Sequence, residues 1–97
     1  MPKTTLDTHV QAPPAVLFRD LDGEAILLNT SSGNYFGLDA VGTRMWQSLT
    51  EAGSVAQAYA TLLHEYKVTP ERLKADLFVF VDKLCDKALL VRVPEAN

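Results

Sequence analysis

Cysteine is almost missing from this chain. Cys85 is the only one in 97 residues, which excludes an intrachain disulfide and any cysteine-based metal cluster. The two histidines, His9 and His64, lie far apart and lack ligand spacing. No run is long and apolar enough to span a membrane, and the start MPKTTLDTHVQAPP has no apolar centre like that of a signal peptide. A soluble cytoplasmic protein is therefore expected. Basic blocks are absent as well. Nine Lys and Arg against twelve Asp and Glu give a net charge of −3, spread along the chain, which weighs against phosphate-backbone binding. Catalytic templates are also lacking. Gly33, Gly37 and Gly42 have no P-loop lysine, and Asp20-Leu21-Asp22 starts like a calcium loop but meets Gly23 too early. Cys85 sits between apolar positions and reads as a structural thiol. No catalytic residue, metal or cofactor is expected.

What is present is enough apolar material, 47% of residues, for one modest core. Residues 1–14 are polar and end in Pro13-Pro14, so they read as a flexible arm; residues 15–93 form the domain and 94–97 a tail. Val16 to Arg19 suggests a strand. Asp22-Gly23 is a strong turn signal into a second strand, Glu24 to Asn29. Asn29-Thr30-Ser31 fits a glycosylation sequon but reads better as turn chemistry, running through Ser32, Gly33 and Asn34 into a short aromatic strand that ends at Leu38. The result is a three-stranded antiparallel meander. Its middle strand carries Ala25 and Leu27 on one face and Ile26 and Leu28 on the other, so each face is expected to be at least partly covered.

Three helices are expected to follow. Asp39 caps the first, which places Val41, Met45 and Leu49 on one stripe beside Trp46 and stops at Gly53. Ser54 with Gln57 forms a capping box for the second, whose stripe is Val55, Tyr59, Leu62, Leu63 and Tyr66. Thr69 caps the third, with Pro70 in the first helical position, and Leu73, Leu77, Phe80, Val81 and Leu84 form its core stripe. Leu89 to Val93 reads as a short strand or extended tail. The third helix also carries a second apolar line, Phe78, Val81 and Cys85. A wide core stripe explains it most simply; the sharper alternative is the wall of a groove beside the sheet edge. An exposed strand edge can accept a peptide as an additional strand.

The segments GEAILLNTSSGNYFGLDAVGTRMW, SVAQAYATLLHEYKVTPERLKADLFVFVDKL and ALLV, in that order, resemble the PqqD-like family of peptide-recognition domains. The resemblance covers roughly residues 16–93. It rests on the hairpin LLN-turn-GxYxxL, the Met45-Trp46 region, the Tyr66-x-Val68-x-Pro70 junction and Asp76 in the third helix. It implies an α+β fold, winged helix-turn-helix-like, with a three-stranded antiparallel sheet followed by three helices. It also implies a non-catalytic adaptor that binds the leader of a ribosomally made precursor peptide and presents it to a modifying enzyme or protease.

The leader would add to the third strand of the meander at Asn34, Tyr35, Phe36, Gly37 and Leu38. It would lie against Lys74, Leu77, Phe78, Val81 and Cys85 of the third helix. One of Tyr35 and Phe36 would pack in the core and the other nearer the groove. Asp76 would make a structural hydrogen bond or touch the leader, with the structural role preferred. Where proteins of pyrroloquinoline quinone biosynthesis carry a proline-glutamate pair, this chain has Asn29 to Ser32, which fits the broader group that includes lasso-peptide partners. Two alternatives stand beside this reading. A winged-helix nucleic-acid regulator is disfavoured by the mixed charges of the third helix, and a self-associating module would pair its sheet edge into a homodimer.

Overall fold

The computed structural model describes residues 4–94. A three-stranded antiparallel sheet is built from β2 (Val16–Leu21), β3 (Glu24–Asn29) and β4 (Tyr35–Leu38) in that spatial order, and α1 (Ala40–Ala52), α2 (Val55–Glu65) and α3 (Pro70–Asp86) follow. This is the expected α+β order. The turn between β2 and β3 works because Asp22 and Gly23 both take positive φ, 62° and 94°, which a two-residue hairpin with the strands' own twist requires. The next turn is organised by Asn29. Its side-chain oxygen accepts from the backbone N–H groups of Ser31 and Ser32, and its amide donates to the Ala88 carbonyl at 2.8 Å. A buried asparagine thus ties the hairpin to the segment after α3.

Each helix starts where its cap dictates. Asp39 Oδ1 accepts from Gly42 N–H at 2.7 Å, Ser54 Oγ from Gln57 N–H, and Thr69 Oγ1 from Arg72 N–H. Gly53 closes α1 in the left-handed conformation, at φ 70°. The helices cover one face of the sheet only. Leu27, Leu49, Leu62, Leu77 and Leu84 fill the space between, and Phe18 stacks on Trp46 with ring centroids 6.4 Å apart. The opposite face does not receive the expected cover: Leu17, Ile26 and Tyr35 are exposed on it, because no element after β4 returns to that side.

The stretch read as a flexible arm is largely ordered. Residues 4–14 of it are described, and they contain β1 (His9–Gln11), which pairs antiparallel with β5 (Val91–Val93). Val10 is 2% exposed; its N–H donates to the Gly53 carbonyl, and Val55 N–H donates to the Thr8 carbonyl. Thr4 is buried and donates to Asp82 on α3, to which Arg92 of β5 also donates and is ion-paired. The segment therefore forms part of the domain, with the backbone bonds of a strand and an apolar residue in the core. Residues 1–3 of the arm and 95–97 of the tail lie outside the described residues. No helix among the described residues is long and apolar enough to cross a membrane.

One ion pair links α1 and α2 at the surface. Arg44 donates through Nε and Nη2 to the two carboxylate oxygens of Glu65, at 2.8 and 2.6 Å. The bidentate hydrogen bond holds the Glu65 carboxyl below its ordinary value of 4.5, against a smaller opposing effect of desolvation. Both side chains remain about a third exposed, so solvent screens the pair. Arg44→Met is expected to cost about 0.5–1 kcal/mol at neutral pH. A lowered carboxylate contributes stability above its unfolded pKa and loses it as pH falls through the folded one. Urea unfolding of wild type and variant should therefore differ at neutral pH and converge in acid.

Candidate functional site

β4 pairs with β3 on one side and has an open edge on the other. Asn29 N–H donates to the Asn34 carbonyl at 2.8 Å, and the register continues through Leu28–Tyr35, Leu27–Phe36, Ile26–Gly37 and Ala25–Leu38. In an antiparallel ladder, bonded and non-bonded pairs alternate. Phe36 and Leu38 therefore turn their backbone groups toward β3, while Tyr35 and Gly37 direct theirs to the open edge. Side chains alternate too. Tyr35, 74% exposed, points to the uncovered face of the sheet, whereas Phe36 opposes buried Leu27 and is half-buried on the helical side. Phe36 is thus the aromatic that meets the groove.

Between β4 and α3 lies an open groove of about 480 Å³. Phe36 and Leu38 line its sheet side, and Asp76, Val79, Phe80 and Lys83 line its helix side. Met45 and Val41 of α1 border it where β4 runs into that helix. Val79, 56% exposed, is a large apolar side chain presented to solvent beside an unsatisfied strand edge. Asp76 makes an ion pair to Arg72 one turn back, at 3.4 Å, and stays more than half exposed at the groove margin. Its structural role is a link within its own helix.

The helix residues named from sequence do not line this groove. Leu77 and Val81 are 0% exposed: they hold α3 onto the core and present no surface to a peptide. Lys74 and Phe78 line a different depression, shared with Glu71, Ala75 and Val79, which borders the groove as well. Cys85 lies on the same flank of α3 as Phe78. Burial pushes its thiol above the ordinary value, and nearby Arg92 only partly offsets that. The N-terminal segment and β5 meet this flank through Thr4, Asp82 and Arg92, so the simpler reading of the second apolar line holds. The groove uses the opposite flank, where Asp76, Val79, Phe80 and Lys83 also recur at intervals of three and four. Spacing reveals such lines on a helix. Which one faces the sheet edge depends on the docking of the helix.

The site offers chemistry for recognition. Among the described residues, no group of three His, Cys, Asp or Glu side chains is close enough to hold a metal ion. The groove's resources are backbone N–H and C=O groups on β4, apolar walls, the Lys83 ammonium group and the Asp39 and Asp76 carboxylates, which suit an extended peptide.

Comparison with known proteins agrees with this fold. A family model described as Coenzyme PQQ synthesis protein D (PqqD) matches residues 24–90, from the start of β3 to just before β5. A solved structure described as TbiB1 in complex with the TbiA(beta) leader peptide superposes with a TM-score of 0.80 at 34% identity, covering 88% of this chain and 99% of that one. A second, described as lasso peptide synthetase B1 complexed with the leader peptide, shares the fold at a TM-score of 0.76 and 23% identity, covering 86% and 98%. No curated protein matches the chain. With the family match spanning both the β4 edge and α3, the chain belongs to the PqqD family.

Proposed function

We propose that this chain binds the leader of a ribosomally made precursor peptide as an added strand on β4. It then presents the peptide, in the cytoplasm, to a modifying enzyme or protease without itself catalysing a reaction. The observation that carries this reading is the open edge at Tyr35 and Gly37 facing an apolar groove. Its support is 34% identity, over most of the chain, to a protein solved with a leader peptide. Backbone bonding from Asn34 to Leu38 supplies affinity that tolerates varied sequences, and the groove walls select among side chains. Val79 and Phe80 take the part that the family resemblance gave to Phe78 and Cys85.

The test is a titration of the purified chain with the labelled leader of the precursor encoded beside its gene, and with the full-length precursor. Equal saturable binding of both is expected, and binding of neither would overturn the proposal. Two substitutions separate the flanks of α3. Val79→Asp, at an exposed position, is expected to weaken leader binding about tenfold by placing a charge on an apolar contact, whereas Phe78→Ala leaves it within about twofold. The reverse pattern would move the contact surface to the other flank.

A further inference from the structure

The face of the sheet turned away from the helices is apolar and uncovered. The strand register sets Leu17, Leu28 and Tyr35 in one row across it, and Arg19, Ile26 and Gly37 in the next. Leu21 and its partner Glu24 close the far end. Leu17 and Leu21 keep about half their surface exposed, Ile26 more than a third and Tyr35 about three quarters. An apolar patch that crosses all three strands marks a surface for contact.

Gly37 leaves a notch in that face. A Cβ there would meet nothing within 4 Å, and the depression beside it, of about 380 Å³, is bordered by Leu21, Ile26, Glu24 and Asp39. Glu24 takes no part in the ion pairs among the described residues, and Asp39 uses one carboxylate oxygen to accept from Gly42 N–H. The surrounding charge has one sign. Residues 15–39 hold Asp20, Asp22, Glu24 and Asp39 against Arg19 alone, a net −3 that equals the charge of the whole chain. Everywhere else acids and bases balance.

We propose that this face docks a folded protein, the enzyme that acts on the bound peptide, through an apolar patch ringed by Lys or Arg. The row of Leu17, Leu28 and Tyr35 meets the enzyme's apolar patch. One of its cationic side chains enters the notch, with its stem on Leu21 and Ile26 and its charge beside Glu24 and Asp39. Charge selects this occupant. A second copy of the chain would press −3 against −3, and an acidic partner would be repelled in the same way. Position supports it as well, because Tyr35 and Gly37 belong to β4, so a body seated here borders the open strand edge. The inference rests on the reading that a leader adds to that edge, and it names the surface that receives the enzyme.

The test measures, by calorimetry with leader present, the binding of each purified peptide-processing enzyme encoded beside the chain's gene. The chains compared are wild type, Glu24→Lys and the double variant Leu17→Thr, Ile26→Thr, whose threonines suit a strand; circular dichroism confirms their folds. None of the altered side chains lines the β4 groove, so leader affinity should stay within about twofold. Enzyme affinity should fall about tenfold or more in both variants, and the loss in Glu24→Lys should shrink at high salt. Enzyme binding unchanged in either variant, or absent from a wild type that holds leader, would overturn the docking face while peptide recognition stands. A wild-type dimer in sedimentation that the double variant dissolves would give the face to a second copy and overturn the proposal. Absence of leader binding by wild type would overturn the function and this inference together.

Discussion

Gly37→Pro is expected to abolish strand addition while leaving the chain folded. In the free protein the Gly37 N–H points to the open edge and bonds to nothing in β3, so proline removes no ladder bond there. A bound leader needs that N–H. Without it a leader carbonyl is left unpaired against β4, and the ring occupies the space of the incoming strand, a loss of about 2 kcal/mol or more, roughly thirtyfold in affinity. Gly37→Ala is the matched control. Nothing lies within 4 Å of a Cβ at this position, and its side chain would point to the uncovered face. Titration of a leader against both variants, with circular dichroism to confirm folding, decides the matter. If Gly37→Pro bound as tightly as Gly37→Ala, backbone pairing at this edge would be excluded.

The largest loss of stability is expected from a position that composition alone would leave in an unstructured tail. Val10→Asp places a carboxylate at a site 2% exposed, between β5 and the α1–α2 junction. A buried, unpaired charge there should cost about 3 kcal/mol or more, a large share of what a domain of this size has in reserve. The same variant should uncover the Cys85 flank of α3, because β1 helps hold β5 and Arg92 in place. A lowered urea midpoint together with faster alkylation of Cys85 would establish both effects. An unchanged midpoint would show that the N-terminal segment does not contribute to the core.

Most of the fold is legible because its signals are local. Asp22-Gly23 specifies a hairpin by itself, and Asp39, Ser54 and Thr69-Pro70 each announce a helix within a single turn of chain. β1 carries no such signal. Three residues are too few to show a period of two, and their partner strand lies at the other end of the chain. The family resemblance places Phe78 and Cys85 against the peptide, whereas the fold turns Asp76, Val79, Phe80 and Lys83 to the groove. The strand half of the site was readable because an edge depends on order along the sheet. The helix half was not, because the rotation of α3 about its axis is set by contacts with Thr4, β5 and the core together. Val41 shows the same limit. It shares a stripe with Met45 and Leu49, yet it stands beyond the margin of the core and borders the groove.

The pairing of His9 with Val93 sets the chain's entry and exit side by side, on the flank of α3 away from the β4 groove. A unit whose two ends leave from one place behaves as a cassette. It can be spliced into a surface loop of a larger enzyme with little added loop-closure entropy and without blocking its own ligand edge. Insertion of this kind would replace bulk affinity with a high effective concentration set by the tether.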